Sequence, residues 1–197
     1  MSGARANPLW LASTSPQRRA ILEQLGIPFE VLAPRYREDD DAEADPVALV
    51  RSHAEGKARS VADQAWERPV LGVDTTVALD GRLYGKPAGV GAAEEMLDAL
   101  GGRTHEVVSG LCLLTPGWVE IEHAVTRVTF RELTPADLAT YVASGEWEGR
   151  AGAYAIQGLG ASLVERIDGD YLNVVGLPAA LLVRTLAQRF PGVYGFG

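Results

Sequence analysis

The sequence predicts an α/β protein whose second half is built from antiparallel strands. Three observations carry that reading: an apolar run near the start that breaks into a capped helix, the apolar ten-residue segment Val70–Leu79, and two long strand-like runs separated by Thr115-Pro116-Gly117. Residues 9–12 form a short strand that stops at Ser13, Thr14, Ser15 and Pro16. Ala20, Ile21, Leu22 and Leu25 then recur at helical spacing, with Ser15 as N-cap, Pro16 in the first helical position and Gly26 as the stop. Residues 29–33 read as a second strand, followed by the acidic stretch Glu38-Asp39-Asp40-Asp41, expected to be a solvated loop. Pro46 opens a helix with Val47, Val50, Ala54, Ala58 and Val61 on its apolar face. The Val70–Leu79 strand turns at Asp80-Gly81 toward Leu83 and Tyr84. Residues 92–100 are helical and end at Gly101-Gly102. Residues 107–114 pair with 119–130 as a long hairpin, and Thr134 caps a helix from Pro135 to about Ser144. A strand is expected over 161–167, and a last helix from near Pro178 carries Leu181, Leu182, Leu186 and Phe190.

The chain has 197 residues, 47% of them hydrophobic, which is enough to build a sizeable core. With 26 acidic against 18 basic residues its net charge is −8, so a nucleic-acid partner, which needs a basic footprint, is not expected. A few local cations in a cleft still suit a small anionic substrate. One cysteine excludes an internal disulfide framework; Cys112 lies in an apolar run and reads as a buried, inert thiol. No apolar stretch approaches the ~20 residues of a membrane span, and the first residues lack the apolar centre of a signal peptide. The reading is a soluble, cytoplasmic protein without a membrane partner.

Familiar signatures fail. Gly89-Val90-Gly91 and Gly158-Leu159-Gly160 lack the third glycine of a dinucleotide fingerprint, and Gly85-Lys86-Pro87 lacks the Ser or Thr of a Walker loop. Ser109 is not in a nucleophile elbow. His53, His105 and His123 have no zinc spacing and read as solvated or structural. What remains is charged and placed at breaks in the pattern. Ser13-Thr14-Ser15-Pro16-Gln17-Arg18-Arg19 sets hydroxyls and guanidiniums around a helix N-terminus, which suits a phosphate and equally suits an ordinary cap with a solvated basic turn. Asp74 interrupts an apolar strand and is followed by Thr75 and Thr76; a carboxylate there needs a metal, a cation or a hydrogen bond, or it caps the strand end. Lys57 borders the apolar face of its helix, pointing into a cleft or snorkelling to the surface. Lys86 sits in a stiff loop, and Glu38 alone is one more charge in an acidic segment.

Together these segments resemble the Maf family of nucleotide pyrophosphatases, also described as septum-formation inhibitors. The matching blocks are LASTSPQRRAIL, Glu38, HAEGKA around Lys57, LGVDTTV, YGKP, GRTHEV, AGAYAIQG and DGDYLNVVGLP, in order over nearly the whole chain. The resemblance implies a single Maf-like domain over residues 1–197, with an elongated mixed sheet flanked by helices and two lobes around a cleft, similar to the inosine triphosphate pyrophosphatase fold. It implies hydrolysis of a nucleoside triphosphate between the α and β phosphates, with a divalent cation, magnesium or manganese. By position, Ser13, Arg18, Lys57 and Lys86 hold phosphates, Glu38 and Asp74 bind the metal, and Asp74 orients or deprotonates the attacking water. Oxygen-only ligands fit a hard cation.

The branch of the family acting on dTTP and UTP has Thr after the strand Asp and Gln in the A-G-x-Y-x-x-Q-G block, whereas the branch acting on 7-methyl-GTP has Gln and Glu. Thr75 and Gln157 match the pyrimidine type. Gln17 departs from both, which carry Arg or Trp there; the departure bears on base selectivity, not on the reaction. The family's frequent dimers imply a homodimer. A regulatory or binding role in cell division is the alternative of a different class, and the intact charged set argues against a dead enzyme.

Overall fold

The computed structural model describes residues 7–38, 45–65 and 67–197. Asp39, Asp40 and Asp41 of the expected acidic loop lie outside them. Seven strands, β1 (Leu9–Leu11), β2 (Phe29–Val31), β3 (Val70–Leu79), β4 (Arg82–Tyr84), β5 (Thr104–Leu114), β6 (Val119–Phe130) and β7 (Val164–Asp168), form one mixed sheet in the order β2-β1-β3-β5-β6-β7, with β4 paired to β3. β1 runs parallel to both β2 and β3, and every pairing from β3 onward is antiparallel. The parallel half follows from the helices between its strands: α1 (Pro16–Gln24), capped by Ser15, returns the chain from β1 to β2, and α2 (Pro46–Arg59), capped by Asp45, returns it to β3. In the antiparallel half, tight turns join β3 to β4 and β5 to β6, while a helix lies between β4 and β5 and another between β6 and β7. None of the helices among the described residues is long and apolar enough to cross a membrane.

α2 lies against one face of the sheet at backbone contact. A Cβ on Gly72 of β3 would stand 2.1 Å from the Ala54 carbonyl oxygen, and one on Gly110 of β5 would stand 2.1 Å from that of Val50. Only glycine permits this approach. Ala12, Ala58, Val61, Val70 and Cys112 complete the buried cluster beneath the helix.

The opposite face carries two apolar clusters. One gathers Leu71, Val73, Leu111 and Leu113 under α1 and α6 (Ala179–Arg189); the other gathers Val77, Val107, Val128 and Phe130 under α3 (Val90–Leu100) and α4 (Pro135–Ala143). Between them on the same face stand Thr75 and Ser109, directly opposite in register, their hydroxyls 2.8 Å apart. This polar row divides the core into two lobes.

Three local departures from expectation have physical causes. Leu159–Leu163 is a 3-10 turn, so the strand expected from Ala161 begins only at Val164. The Glu146 carboxylate accepts the Leu159 and Gly160 amides at 2.9 and 3.2 Å and holds that turn in place of a ladder. The second strand ends at Val31, short of Ala33. A five-residue helix, α5 (Tyr171–Val175), was not expected. It forms because Asp170 accepts the Leu172 amide at 2.8 Å and Asn173 is pulled inward, donating to the Val107 carbonyl and the Thr126 hydroxyl at 3.1 Å each.

Candidate active site

A gap in the sheet places the site. β1 pairs with β3 only at Val70 and Leu71, and β4 joins the same edge only at Val77. Between those points the edge of β3 is unpaired, so Asp74 on the α2 face and Thr75 on the opposite face both reach one cavity of about 530 Å³. That volume falls in the range of small-ligand sites. The cavity opens beyond the carboxyl end of parallel strand β1, where open α/β sheets bind their ligands.

On one side, Ser13 leaves β1 buried, and α1 starts three residues later. Ser15 accepts the Arg18 amide at 3.4 Å, and its hydroxyl donates to the Gln17 side-chain carbonyl at 3.1 Å. The Arg18 guanidinium fans out to the Gly176 carbonyl at 2.9 Å, the Ser13 hydroxyl at 3.2 Å and the Thr75 hydroxyl at 3.4 Å. One cation thus ties α1, β1, β3 and the α5–α6 link into one wall.

On the other side, Lys57 is buried at 6% exposure, which settles the choice left open by its helical position in favour of the cleft. Its ammonium lies 2.5 Å from Asp74 Oδ1 and 2.5 Å from Glu38 Oε1. Lys86, largely exposed, stands 3.9 Å from the other Glu38 oxygen. His53, one turn before Lys57 on α2, places Nδ1 3.4 Å from Asp74 Oδ2. Burial alone would raise the Asp74 carboxyl, but the His53 contact, the Lys57 ammonium and the Arg18 guanidinium outweigh it and hold it well below the ordinary carboxylate range. Glu38 is lowered in the same way, burial being outweighed by Lys57 and Lys86. The Asp74 contact in turn raises the His53 imidazole.

Ser13, Arg18, Glu38, Lys57, Asp74 and Lys86 line this cavity, and so do Gln17, Thr75 and Gln157, whereas Arg19 of the same basic turn is exposed and does not. Gln17 and Gln157 also border an adjoining, largely apolar cavity of about 340 Å³ beside Ile21, Tyr171 and Leu172. His53 is the correction. It reads as a bystander in sequence, yet it touches the central carboxylate; its spacing of four from Lys57 was the available signal. His105 is structural, bonded to the Tyr154 hydroxyl at 2.9 Å and lowered by burial to about 4. Cys112 is buried and its thiol is pushed up to about 12, inert as expected.

The donor set suits a hard cation. Glu38 and Asp74 both turn an oxygen toward one point, where the Lys57 ammonium sits between them. Among the described residues no group of three or more His, Cys, Asp or Glu could enclose a metal, so substrate oxygens and water would complete the shell, as is common for magnesium.

The fold and this cleft define an α/β protein with a deep polar site, rich in cations, for a small anionic ligand. The chain belongs to the Maf family: residues 8–189 match the model of the Maf-like proteins. It is 50% identical over 186 residues to a dTTP/UTP pyrophosphatase of Nitratidesulfovibrio vulgaris, covering 93% of this chain and 89% of the relative. Proteins of the same description from Gloeobacter violaceus and Moorella thermoacetica are each 47% identical, over 180 residues (91% of this chain, 95% of the relative) and 189 residues (95% and 97%).

Proposed function

We propose that this chain hydrolyses nucleoside triphosphates, dTTP and UTP foremost, to the monophosphate and pyrophosphate. The observation that carries the proposal is the buried Lys57 ammonium held between the Glu38 and Asp74 carboxylates inside a cleft of nucleotide size. The names of the relatives supply the substrate class. Ser13 and Arg18 bind phosphate oxygens from the α1 side, and Lys57 and Lys86 from the other. Their charge compensates the triphosphate in an otherwise acidic protein. Asp74 orients the attacking water. A carboxylate held so far below its ordinary value is a weak proton acceptor. Glu38 and Asp74 would hold a magnesium or manganese ion, which neutralises phosphate charge and acidifies bound water. Thr75, Gln157 and Gln17 meet the base; neutral groups that both donate and accept match the carbonyl and N3–H pattern of uracil and thymine. The proposal extends to one Maf-like domain over 1–197, acting in the cytoplasm as a homodimer.

The test is pyrophosphate release from a panel of dTTP, UTP, CTP, GTP and 7-methyl-GTP with magnesium. Release from the pyrimidine nucleotides is expected. No release from any of them returns the chain to a binding or regulatory role.

A further inference from the structure

A fourth cation stands in the wall of the cleft beside Arg18, Lys57 and Lys86. Arg150 lines the main cavity, and its Nε is buried without a hydrogen-bond partner among the described residues. The other cations are engaged: Arg18 with three protein oxygens, Lys57 between two carboxylates, Lys86 beside Glu38. Buried guanidinium donors are normally satisfied, and a guanidinium that lines the cavity while its Nε lacks a protein acceptor is the cation of this wall least committed to the fold.

The backbone around Arg150 is fixed. Its amide donates to the Trp147 carbonyl at 3.1 Å, and its carbonyl accepts the Ala153 amide at 3.1 Å. Ala153 is fully buried at φ 60°, a left-handed conformation that costs energy for a residue with a Cβ. Gly152, at φ 67°, lies so close to Val77 that a Cβ would stand 2.9 Å from its Cγ2, and its amide donates to the Gly85 carbonyl at 3.2 Å. The strained turn therefore joins Arg150 to the Gly85-Lys86 loop.

The two cavities indicate which part of the ligand Arg150 meets. Gln17 and Gln157 border both of them, whereas Arg150 and Lys86 border only the first. Thr75 also borders only the first, so it is the Gly152–Gly85 bond that sets the Arg150 turn beside the Lys86 loop, apart from the apolar cavity that Gln17 and Gln157 share. We propose that Arg150 is a further substrate-binding residue whose guanidinium takes oxygens of the β and γ phosphates, the part that leaves as pyrophosphate. The assignment rests on the triphosphate pyrophosphatase reading. Cleavage of the α–β bridge leaves the bridging electron pair on the departing pyrophosphate while water's oxygen bonds to the α phosphorus. A planar fork placed there binds that charge more strongly as it develops.

The experiment uses the full chain, with Arg150→Gln and Arg150→Lys. Calorimetry with magnesium present measures affinity for inorganic pyrophosphate and, separately, for UMP; kcat/KM is measured for UTP. Arg150→Gln is expected to lose at least tenfold in pyrophosphate affinity and in kcat/KM, with UMP affinity held within twofold. Arg150→Lys, which keeps the charge and the fold but loses the fork, is expected to lose at least threefold in pyrophosphate affinity. If Arg150→Gln does not fold, the lysine variant alone decides. Pyrophosphate binding equal to wild type, or an equal loss for UMP, overturns the assignment. A wild type that releases no pyrophosphate from any triphosphate defeats the parent reading instead.

Discussion

Replacing Lys57 with Met removes the ammonium and keeps most of the stem. Asp74 is then left with its side chain 11% exposed, its remaining support being His53 at 3.4 Å and the Arg18 guanidinium. Removing one partner of a buried ion pair costs about 3–5 kcal/mol. Glu38, with 34% of its side chain exposed, is solvated enough to add little, and His53 and Arg18 remain, so about 3 kcal/mol is expected at pH 7. For a chain of this length that lowers Tm by roughly 6–12 °C. The pH dependence identifies the cause. In the wild type the Asp74 carboxyl is depressed, so its contribution is complete above the ordinary value of 3.8 and is lost only as pH falls through the folded value. Without Lys57 the balance moves toward burial, which raises the carboxyl. The variant is then penalised at neutral pH and relieved as pH falls and Asp74 takes up a proton. The difference in unfolding free energy should therefore shrink to about half or less between pH 7 and pH 4. Urea denaturation at the two pH values, followed by tryptophan fluorescence, measures it. A difference that is independent of pH, or below about 1 kcal/mol at pH 7, refutes the reasoning that Lys57 compensates the Asp74 charge.

Asp74→Asn should fold and still lose ~10²-fold or more in kcat, because the amide keeps the shape but not the charge that orients water; near-normal turnover from a folded variant would remove Asp74 from the mechanism. Chelation should abolish pyrophosphate release, and added magnesium or manganese should restore it, since two carboxylates alone repel a polyphosphate. Full activity after exhaustive chelation would count against the metal. On a nucleotide panel kcat/KM should favour dTTP and UTP, with measurable CTP turnover because Gln17 shortens the reach of the usual Arg and removes its charge. A tenfold preference for 7-methyl-GTP, about 1.4 kcal/mol in transition-state binding, would overturn the pyrimidine assignment while sparing the reaction.

The elements that sequence alone makes legible are those whose signals are local. Ser15, Pro16 and Gly26 mark both ends of α1, and the apolar run of β3 has the observed bounds. The residues of the site are legible as charges at breaks in the apolar pattern. Their pairing is not. Whether Lys57 snorkels or is buried depends on which face of α2 meets the sheet, and that is decided by Gly72 and Gly110, 15 or more residues away in the chain. His53 is hidden for the same reason. The helix α5 is too short to show a periodicity, and its formation depends on Thr126 and Val107, reached only across the sheet. Arg150 carries no motif; what marks it is an Nε without an acceptor among the described residues.

The seating of α2 on two bare α-carbons has a bearing on how this protein can drift over generations. Side-chain repacking within the apolar clusters can soften the molecule while leaving the helix at the same height above β3. The contact between the Lys57 ammonium and Asp74 is gauged by the thickness of the backbone itself. A single methyl at Gly72 or Gly110 would have to displace a carbonyl now 2.1 Å from its position, lifting the helix by about 1 Å, a misplacement of the size that costs a catalytic site around a hundredfold. The reactive geometry is therefore insulated from most of the hydrophobic core and exposed at two positions that carry no side chain at all.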